Sequence, residues 1–257
     1  MNALGRAGHV GSYQRTVAVS LERMYENALD WEHLPFVHAS SFSAIEAVDA
    51  GAWGWRARVW DAADRESLIE LRLERDRQRW ITRNIEGRAA GAEIWTSVVE
   101  VAPRRLDLAI DFYVPGIPEA DRAKVGAAYA QAYTVLYDED EPMMVERQWQ
   151  LEQRIQSRPR EAVMLPPVAE LDLPHRFDFG GRPHVLRDHE GSLIAHAAVC
   201  PHQLAPLADA RIERGEIVCP WHGYRFALAS GHCTSGALCR MTPAPAVEET
   251  AAGVRIG

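Results

Sequence analysis

Two short segments in the last third of the chain each combine a cysteine with a histidine. One reads Cys-x-His (Cys200 and His202), and sixteen residues later the other reads Cys-x-x-His (Cys219 and His222). These side chains suit a [2Fe-2S] cluster in which the cysteines bind one iron and the histidines bind the other, more exposed iron, from which electrons leave. The same four ligands would satisfy a tetrahedral zinc ion. Because both segments are proline-containing turns among short predicted strands, we favour the cluster.

The residues around these ligands extend the pattern. The runs CPHQLAPL from Cys200 and IVCPWHGYRF from Ile217 resemble the Rieske domain of ring-hydroxylating oxygenases and their ferredoxins, over about 80 residues from Pro174. Rieske proteins of respiratory complexes carry a further cysteine in each ligand loop. Here the other two cysteines, Cys233 and Cys239, lie beyond the second loop, and we expect them to be packing residues. The resemblance implies a reduction potential toward the low end of the Rieske range.

A second group of candidate metal ligands lies near the N-terminus. Asp30 and His33, three residues apart, would share one face of a helix, whereas His38 would point away from them on the same helix. Pro35 disfavours continuation of that helix, so we predict that it ends near Leu34 and that His38 follows in a turn. Two imidazoles could then converge on one ion. With one carboxylate they would form the facial triad of non-haem Fe(II) oxygenases.

The run Asp-x-x-His-x-x-x-x-His, preceded by Asn27, resembles the iron-binding motif of the catalytic domain of Rieske non-haem iron oxygenases. The resemblance implies that His33 and His38 bind a mononuclear Fe(II). It also implies catalytic roles for Asn27 and for Asp30, the latter as the acid that links an incoming Rieske histidine to the iron site. Either histidine alone would more simply be a core or surface residue. The cluster motif in the same chain favours the metal site.

The third ligand implied by the family is an aspartate in a late, acidic helical segment. We choose Asp140. Glu141 is the alternative, because the family usually has a glutamate five residues beyond the ligand, and Glu146 lies five residues beyond Glu141 but six beyond Asp140. Asp138 is a third candidate. Pro142 suits the first turn of a helix, so capping of that helix is the simpler role for Asp140 or Glu141.

A proline-rich stretch between Ser157 and Pro174 divides the chain. Before it, alternating apolar residues between Trp53 and Tyr113 predict strands, and apolar residues three and four apart predict a helix from Pro118 to Tyr137. After it, short strands are separated by glycine-containing turns. We therefore predict an α+β fold: an N-terminal helix-grip (START/SRPBCC-like) domain over 12–157, a linker over 158–174 and an all-β Rieske domain over 175–257. The family's usual domain order is the reverse.

The composition narrows the class of protein. The net charge of -8, with acidic residues interleaved in the basic cluster from Arg72 to Arg83, argues against nucleic-acid binding. No apolar run reaches the roughly 20 residues that span a bilayer, and Met1 to Gly11 lack the apolar core of a signal peptide. We therefore expect a cytoplasmic protein without a membrane span. Four cysteines in a chain of 257 residues indicate metal binding and not a disulfide framework.

The resemblance implies O₂-dependent oxidation of an apolar or aromatic small molecule. Electrons would come from a NAD(P)H-dependent reductase, directly or through a ferredoxin, and pass from the cluster through Asp30 to the mononuclear Fe(II), between the chains of a homotrimer. The substrate cavity would be lined by some of the following aromatic residues: Trp53, Trp55, Trp60, Trp95, Phe112 and Tyr133. The alternative function is a Rieske electron-transfer protein whose N-terminal domain binds a ligand without mononuclear iron.

Overall fold

The computed structural model describes residues 8–153 and 158–257. The chain divides into two compact units, and the division lies between Gln148 and Trp149. The predicted domain boundary at residue 157 lies outside the described residues, as do the first seven residues of the segment tested for a signal peptide. The predicted α+β class is confirmed, with a helix-grip unit followed by an all-β unit.

The first unit is a seven-stranded antiparallel sheet that packs against a long helix. The strand order is β1-β7-β6-β5-β4-β3-β2. The strands are β1 (His9–Val17), β2 (Ala44–Gly51), β3 (Gly54–Trp60), β4 (Glu66–Glu74), β5 (Arg79–Glu86), β6 (Glu93–Ala102) and β7 (Arg105–Tyr113), with a 3₁₀ turn at Arg75–Arg77. The helices are α1 (Leu21–Leu29), α2 (Leu34–Val37) and α3 (Glu119–Glu152).

Strand β7 illustrates how the sequence builds this core. Its buried apolar residues alternate with more exposed ones that are mostly charged, so one face of the strand is apolar. On that face Phe112 packs against α3, with its ring centroid 5.3 Å from those of Tyr129 and Tyr133. Gly126 lets α3 approach β1, because a Cβ atom there would lie 2.2 Å from the carbonyl oxygen of Val10. The sheet therefore holds α3 at a fixed position.

Helix α3 is longer than the sequence pattern predicts. It runs unbroken from Glu119 to Glu152 with Pro142 inside it, whereas we predicted one helix ending at Tyr137 and another with Pro142 in its first turn. Pro142 has no N–H to donate to the carbonyl four residues earlier. Buried residues on both sides of it, Tyr137, Met143 and Met144, anchor the helix in the core despite this loss. The capping interpretation of Asp140 and Glu141 is therefore wrong.

The segment that carries the two N-terminal histidines also differs in detail from the prediction. Helix α1 already ends at Leu29, with Asp30 as its C-cap, and does not continue to Leu34. Pro35 lies instead in the first turn of α2, where a missing N–H costs no helical hydrogen bond. His33 and His38 are the N-cap and C-cap of this short helix. The histidines therefore come from its two ends.

The second unit contains three three-stranded antiparallel sheets, ordered β11-β10-β9, β12-β13-β14 and β15-β16-β8. Its strands are β8 (Val163–Leu165), β9 (His175–Phe179), β10 (Arg182–His189), β11 (Ser192–Ala197), β12 (Ile212–Glu213), β13 (Glu216–Val218), β14 (Arg225–Ala227), β15 (Val247–Thr250) and β16 (Gly253–Ile256), with a 3₁₀ turn at Val168–Glu170. Strand β8 lies within the predicted linker, but it pairs with β16 through Leu165 and Val254. The predicted linker 158–174 therefore belongs to the second unit.

Three hairpins of this unit turn at glycine-containing segments, as predicted. Each has positive φ at both turn residues, an arrangement whose twist matches that of the flanking strands. The turn pairs are Gly180-Gly181 (64° and 77°), Glu190-Gly191 (54° and 78°) and Arg214-Gly215 (53° and 79°). Among the described residues, no helix of either unit combines the length and apolar character needed to cross a membrane.

Candidate metal centres

The two cysteine-containing loops of the second unit have the same backbone hydrogen-bond pattern. In each loop the cysteine N–H donates to the carbonyl five residues later, at 2.9 Å for Cys200 and 2.8 Å for Cys219. Each cysteine carbonyl accepts from the N–H four residues later, at 3.1 Å and 2.9 Å. Those donors, Leu204 and Gly223, have positive φ values of 66° and 65°. The fold thus presents two cysteines and two histidines on a pair of matched turns.

The four predicted cluster ligands lie close together. Both cysteine side chains are buried, and a hydrogen bond from the Cys200 thiol lowers the pKa of Cys219 to about 5 against the opposing effect of burial. The same pairing raises the pKa of Cys200. The ring centroids of His202 and His222 are 4.7 Å apart, and Tyr224 packs against both rings. His202 is partly exposed whereas His222 is buried. Two adjacent sulfurs and two adjacent imidazoles fit the ligand set of a [2Fe-2S] cluster.

The remaining cysteines lie after the second ligand loop. Cys233 and Cys239 are both half-buried, and the sulfur of Cys233 lies 3.4 Å from the hydroxyl oxygen of Ser235. Cys233 also forms a β-bridge with Phe226. The contacts of Cys233 fit a packing residue, and the packing role of Cys239 stays a prediction.

In the first unit the structure brings together His33, His38 and Asp140. The Oδ1 atom of Asp140 lies 3.3 Å from Nε2 of His33 and 3.0 Å from Nε2 of His38. One ligand atom from each of the three side chains lies within 4.8 Å of the others. Both histidines are buried. The candidate site therefore combines the two ends of α2 with the middle of α3.

The neighbours of Asp140 hold it in place as a carboxylate. The side-chain amide of Asn27 donates to Oδ1 of Asp140 at 3.1 Å. Burial raises the pKa of Asp140, but the contacts with His33 and His38 outweigh burial and keep it well below its usual range. Burial likewise lowers the pKa of His33, whereas Asp140 and Asp30 together raise it to about 10. The carboxylate of Asp140 is thus held between the imidazoles of His33 and His38.

Each imidazole also faces a second carboxylate. Nδ1 of His33 lies 3.6 Å from Oδ2 of Asp30, the residue that the sequence pattern singled out. Nδ1 of His38 lies 2.7 Å from Oε2 of Glu139, which the sequence analysis did not identify. The available signal was that Glu139 directly precedes the chosen Asp140.

The alternative carboxylates point elsewhere. Glu141 accepts hydrogen bonds from the guanidinium of Arg15, the shorter at 2.6 Å, and from the backbone N–H of Ala18. Asp138 also accepts from Arg15, at 2.5 Å. Of the three carboxylates weighed from the sequence, the structure brings Asp140 to the histidines.

A cavity of about 130 Å³ adjoins the three side chains. Its walls include Trp55 and Tyr133, which were among the predicted lining residues, and Trp80, which was not. Trp53, Trp60, Trp95 and Phe112 are not among the lining residues that the structure describes. Phe112 instead belongs to the core between β7 and α3. The other apolar lining residues are Met24, Ala28, Leu34, Phe42, Ile69, Leu71 and Leu136.

Comparison with known proteins assigns the second unit. Residues 161–245 match the family model of the Rieske [2Fe-2S] domain, so this part of the chain is a Rieske domain. The chain is 40% identical over 50 residues to a 4beta-methylsterol monooxygenase of Methylococcus capsulatus, covering 20% of this chain and 13% of that protein. It is 34% identical over 56 residues to the ferredoxin component of the alkene monooxygenase system of Xanthobacter autotrophicus, covering 21% and 46%. The chain thus spans less than half the length of each relative.

Solved structures resemble each part of the chain. A START superfamily protein from Mycobacterium smegmatis aligns with 56% of this chain and 99% of its own, at 18% identity and a TM-score of 0.43. The ferredoxin of carbazole 1,9a-dioxygenase from Nocardioides aromaticivorans aligns with 37% of this chain and 95% of its own, at 26% identity and a TM-score of 0.30.

Proposed function

We propose that this chain is the oxygenase component of a Rieske-type system and oxidises, by hydroxylation or demethylation, an uncharged apolar or aromatic small molecule with O₂. Its electrons come from a NAD(P)H-dependent reductase, directly or through a ferredoxin. One observation carries the proposal. In a chain that contains a Rieske domain, His33, His38 and Asp140 converge beside an apolar cavity.

The residues at this point fit a mononuclear Fe(II). Two imidazole nitrogens and one carboxylate oxygen are the donor set of the facial triad in non-haem iron oxygenases. Asp140 lies 3.3 Å from His33 and 3.0 Å from His38, and one ligand atom of each of the three side chains lies within 4.8 Å of the others. The three side chains are therefore close enough to share one ion.

When bound, the iron and the cluster supply the O₂ activation and the single-electron transfers of such a system. The chain's own residues have simpler tasks. Asn27 donates to Asp140 and so orients its carboxylate, while Asp30 and Glu139 lie beside the outer nitrogens of the two histidines. The apolar walls of the cavity would hold the substrate beside the three ligands and exclude water.

The chemistry of the cavity indicates the class of substrate. The hydroxyl group of Tyr133 is hydrogen-bonded to the side chain of Thr82, and that of Tyr137 to the side chain of Thr96. No lysine or arginine is found among the cavity-lining residues in the described part of the chain, whereas Asp30 and Asp140 contribute negative charge. The described walls therefore offer no lysine or arginine side chain to pair with an anionic substrate. These features support an uncharged, mainly apolar substrate of modest size.

The proposal includes a homotrimer in which a Rieske domain serves the iron site of a neighbouring chain. A chain with Cys219→Ser lacks the cluster, and a chain with His33→Ala lacks the mononuclear iron. A verified mixed oligomer of the two should recover activity that neither variant has alone. A mixed oligomer without activity would indicate transfer within one chain.

Product formation tests the function itself. The purified protein, a reductase and NAD(P)H would be supplied with a panel of apolar and aromatic compounds, and the products identified by mass spectrometry with ¹⁸O₂. We expect oxygen incorporation, or loss of a methyl group, that disappears in His33→Ala and His38→Ala while the cluster spectrum remains. Full activity of either histidine variant would contradict the proposal.

The relative named as a ferredoxin component supports one other candidate function, that of an electron carrier. In that case the first unit binds an apolar ligand without iron. Such a protein would pass electrons to an added oxygenase at the same rate in wild type and in His33→Ala.

A further inference from the structure

We propose that Glu139 is a positioning residue that fixes the orientation and tautomer of His38 for metal binding. The inference rests on the proposed function, because it concerns the same metal site. Oε2 of Glu139 lies 2.7 Å from Nδ1 of His38, and Oδ1 of Asp140 lies 3.0 Å from Nε2. Two consecutive residues of α3 therefore hold the two nitrogens of one buried imidazole.

Helix geometry explains how neighbouring residues can do this. Consecutive side chains on an α-helix diverge by about 100°, so Glu139 and Asp140 leave α3 in different directions. The imidazole of His38 fits between them with one ring nitrogen toward each carboxylate. When Nδ1–H donates to Glu139, Nε2 presents its lone pair toward Asp140 and the cavity. A carboxylate on the outer nitrogen of a metal-binding histidine fixes the ring and makes the inner nitrogen a stronger ligand.

The two histidines are not held equally. The corresponding contact of His33, between Nδ1 and Oδ2 of Asp30, is 3.6 Å long and exceeds the usual range of a hydrogen bond. The contact of His38 with Glu139 lies within that range. Glu139 is also 30% exposed, whereas Asp30 is 6% exposed. Of the two histidines, His38 therefore has the closer contact with an outer carboxylate. Because Glu139 is the more exposed of the two outer carboxylates, its removal also leaves a smaller void than removal of Asp30 would.

The chain supplies a matched control on the same helix. Asp138 directly precedes Glu139, is 60% exposed and accepts from Arg15 at 2.5 Å instead of from a histidine. Asp138→Asn removes the same charge close to the site without touching His38. It separates a specific contact from the general negative charge of this stretch of α3.

The test is a Co(II) titration of the full chain with its cluster intact and its mononuclear metal removed by a chelator. Cobalt absorption at the mononuclear site reports affinity and ligand geometry without any turnover. We expect Glu139→Ala to weaken Co(II) binding about 10- to 100-fold and to alter the cobalt spectrum. Glu139→Gln should recover part of the affinity, because its amide oxygen still accepts from Nδ1–H. Asp138→Asn should match the wild type.

Several results would overturn the inference. Wild-type affinity in Glu139→Ala would show that the contact does not position His38, and an equal loss in Asp138→Asn would show a general charge effect. Thermal unfolding and the cluster spectrum show whether Glu139→Ala is misfolded. If it is, the Co(II) affinity of Glu139→Gln is compared with that of Asp138→Asn, and equal affinities would overturn the inference. A folded wild type that binds no Co(II) would overturn the proposed function as well. Binding by the wild type with no effect of Glu139 overturns this inference alone.

Discussion

Nε2 of His38 lies 3.0 Å from Oδ1 of Asp140, and this contact joins the C-terminal end of a four-residue helix to the middle of the 34-residue helix α3. The sheet fixes α3, and α3 fixes the carboxylate. Asn27, on the buried side of α1, donates to the same oxygen atom. Side chains from α1, from both ends of α2 and from α3 thus meet at one carboxylate.

If the four residues bind a cluster, replacing one of them should remove the cluster without unfolding the first unit. Cys219→Ser should abolish the visible absorption of the cluster while the first unit stays folded, because all four cluster ligands lie in the second unit. Circular dichroism and absorption spectra of the same sample check both statements. Cys233→Ser is the matched control and should keep the full cluster spectrum, since Cys233 lies beyond the second ligand loop and contacts Ser235. An unchanged spectrum in Cys219→Ser would contradict the assignment.

Because α3 packs closely on β1, replacing the glycine of α3 by alanine should lower the free energy of unfolding instead of raising it. Gly→Ala in a helix ordinarily stabilises by about 1 kcal/mol. At Gly126 the new Cβ would lie 2.2 Å from the carbonyl oxygen of Val10, so the helix must shift away from the sheet. We expect Gly126→Ala to destabilise the first unit by about 1–3 kcal/mol in denaturant unfolding. A stabilised variant would show that α3 is not held this closely.

A buried histidine predicts acid sensitivity of the Rieske domain. Burial lowers the pKa of His196 from 6.5 to about 4, so the unfolded chain takes up a proton at a higher pH than the folded chain does. The stabilisation is therefore complete above pH 6.5 and is lost as the pH falls toward 4, by up to about 3 kcal/mol. His196→Phe should show a smaller loss of stability across this window than the wild type. Equal losses in both proteins would contradict the prediction.

Substitution of Asp30 should block electron transfer between the two metal centres. Its carboxylate is close to His33 and is the acid that, by the family resemblance, meets an incoming Rieske histidine. Asp30→Asn should keep the cluster and the mononuclear iron but slow the transfer between them severely. In a single-turnover experiment with substrate and O₂, the reduced cluster should persist without product. Decay of the reduced cluster at the wild-type rate would remove Asp30 from the path.

Local sequence signals predicted much of the fold, and tertiary packing decided the rest. Paired turn residues such as Gly180-Gly181 predict hairpins because few other residues accept positive φ at both positions. Pro142 misled the prediction because its local cost is outweighed by the burial of Met143 and Met144 beside it. The same override placed β8 in the second unit, where three residues pair with a strand at the far end of the chain.

The candidate site was likewise predicted most directly where its residues lie close together in the sequence. His33 and His38 lie in one short motif, so their spacing could be recognised in the sequence. The choice of Asp140 over Glu141 depends on the direction in which α3 presents each side chain, and the pull of Arg15 on Glu141 comes from a distant strand. Trp80 in the cavity and Glu139 at His38 are likewise products of long-range packing.

The iron content of the folded protein tests the central claim most directly. We expect about three irons per chain, two in the cluster and one in the first unit. The count should fall to about two in His38→Ala and in Asp140→Ala, with the cluster spectrum unchanged, and should remain at about three in Glu141→Ala. A wild type with a full cluster and only about two irons per chain, or loss of iron in Glu141→Ala but not in Asp140→Ala, would contradict the account.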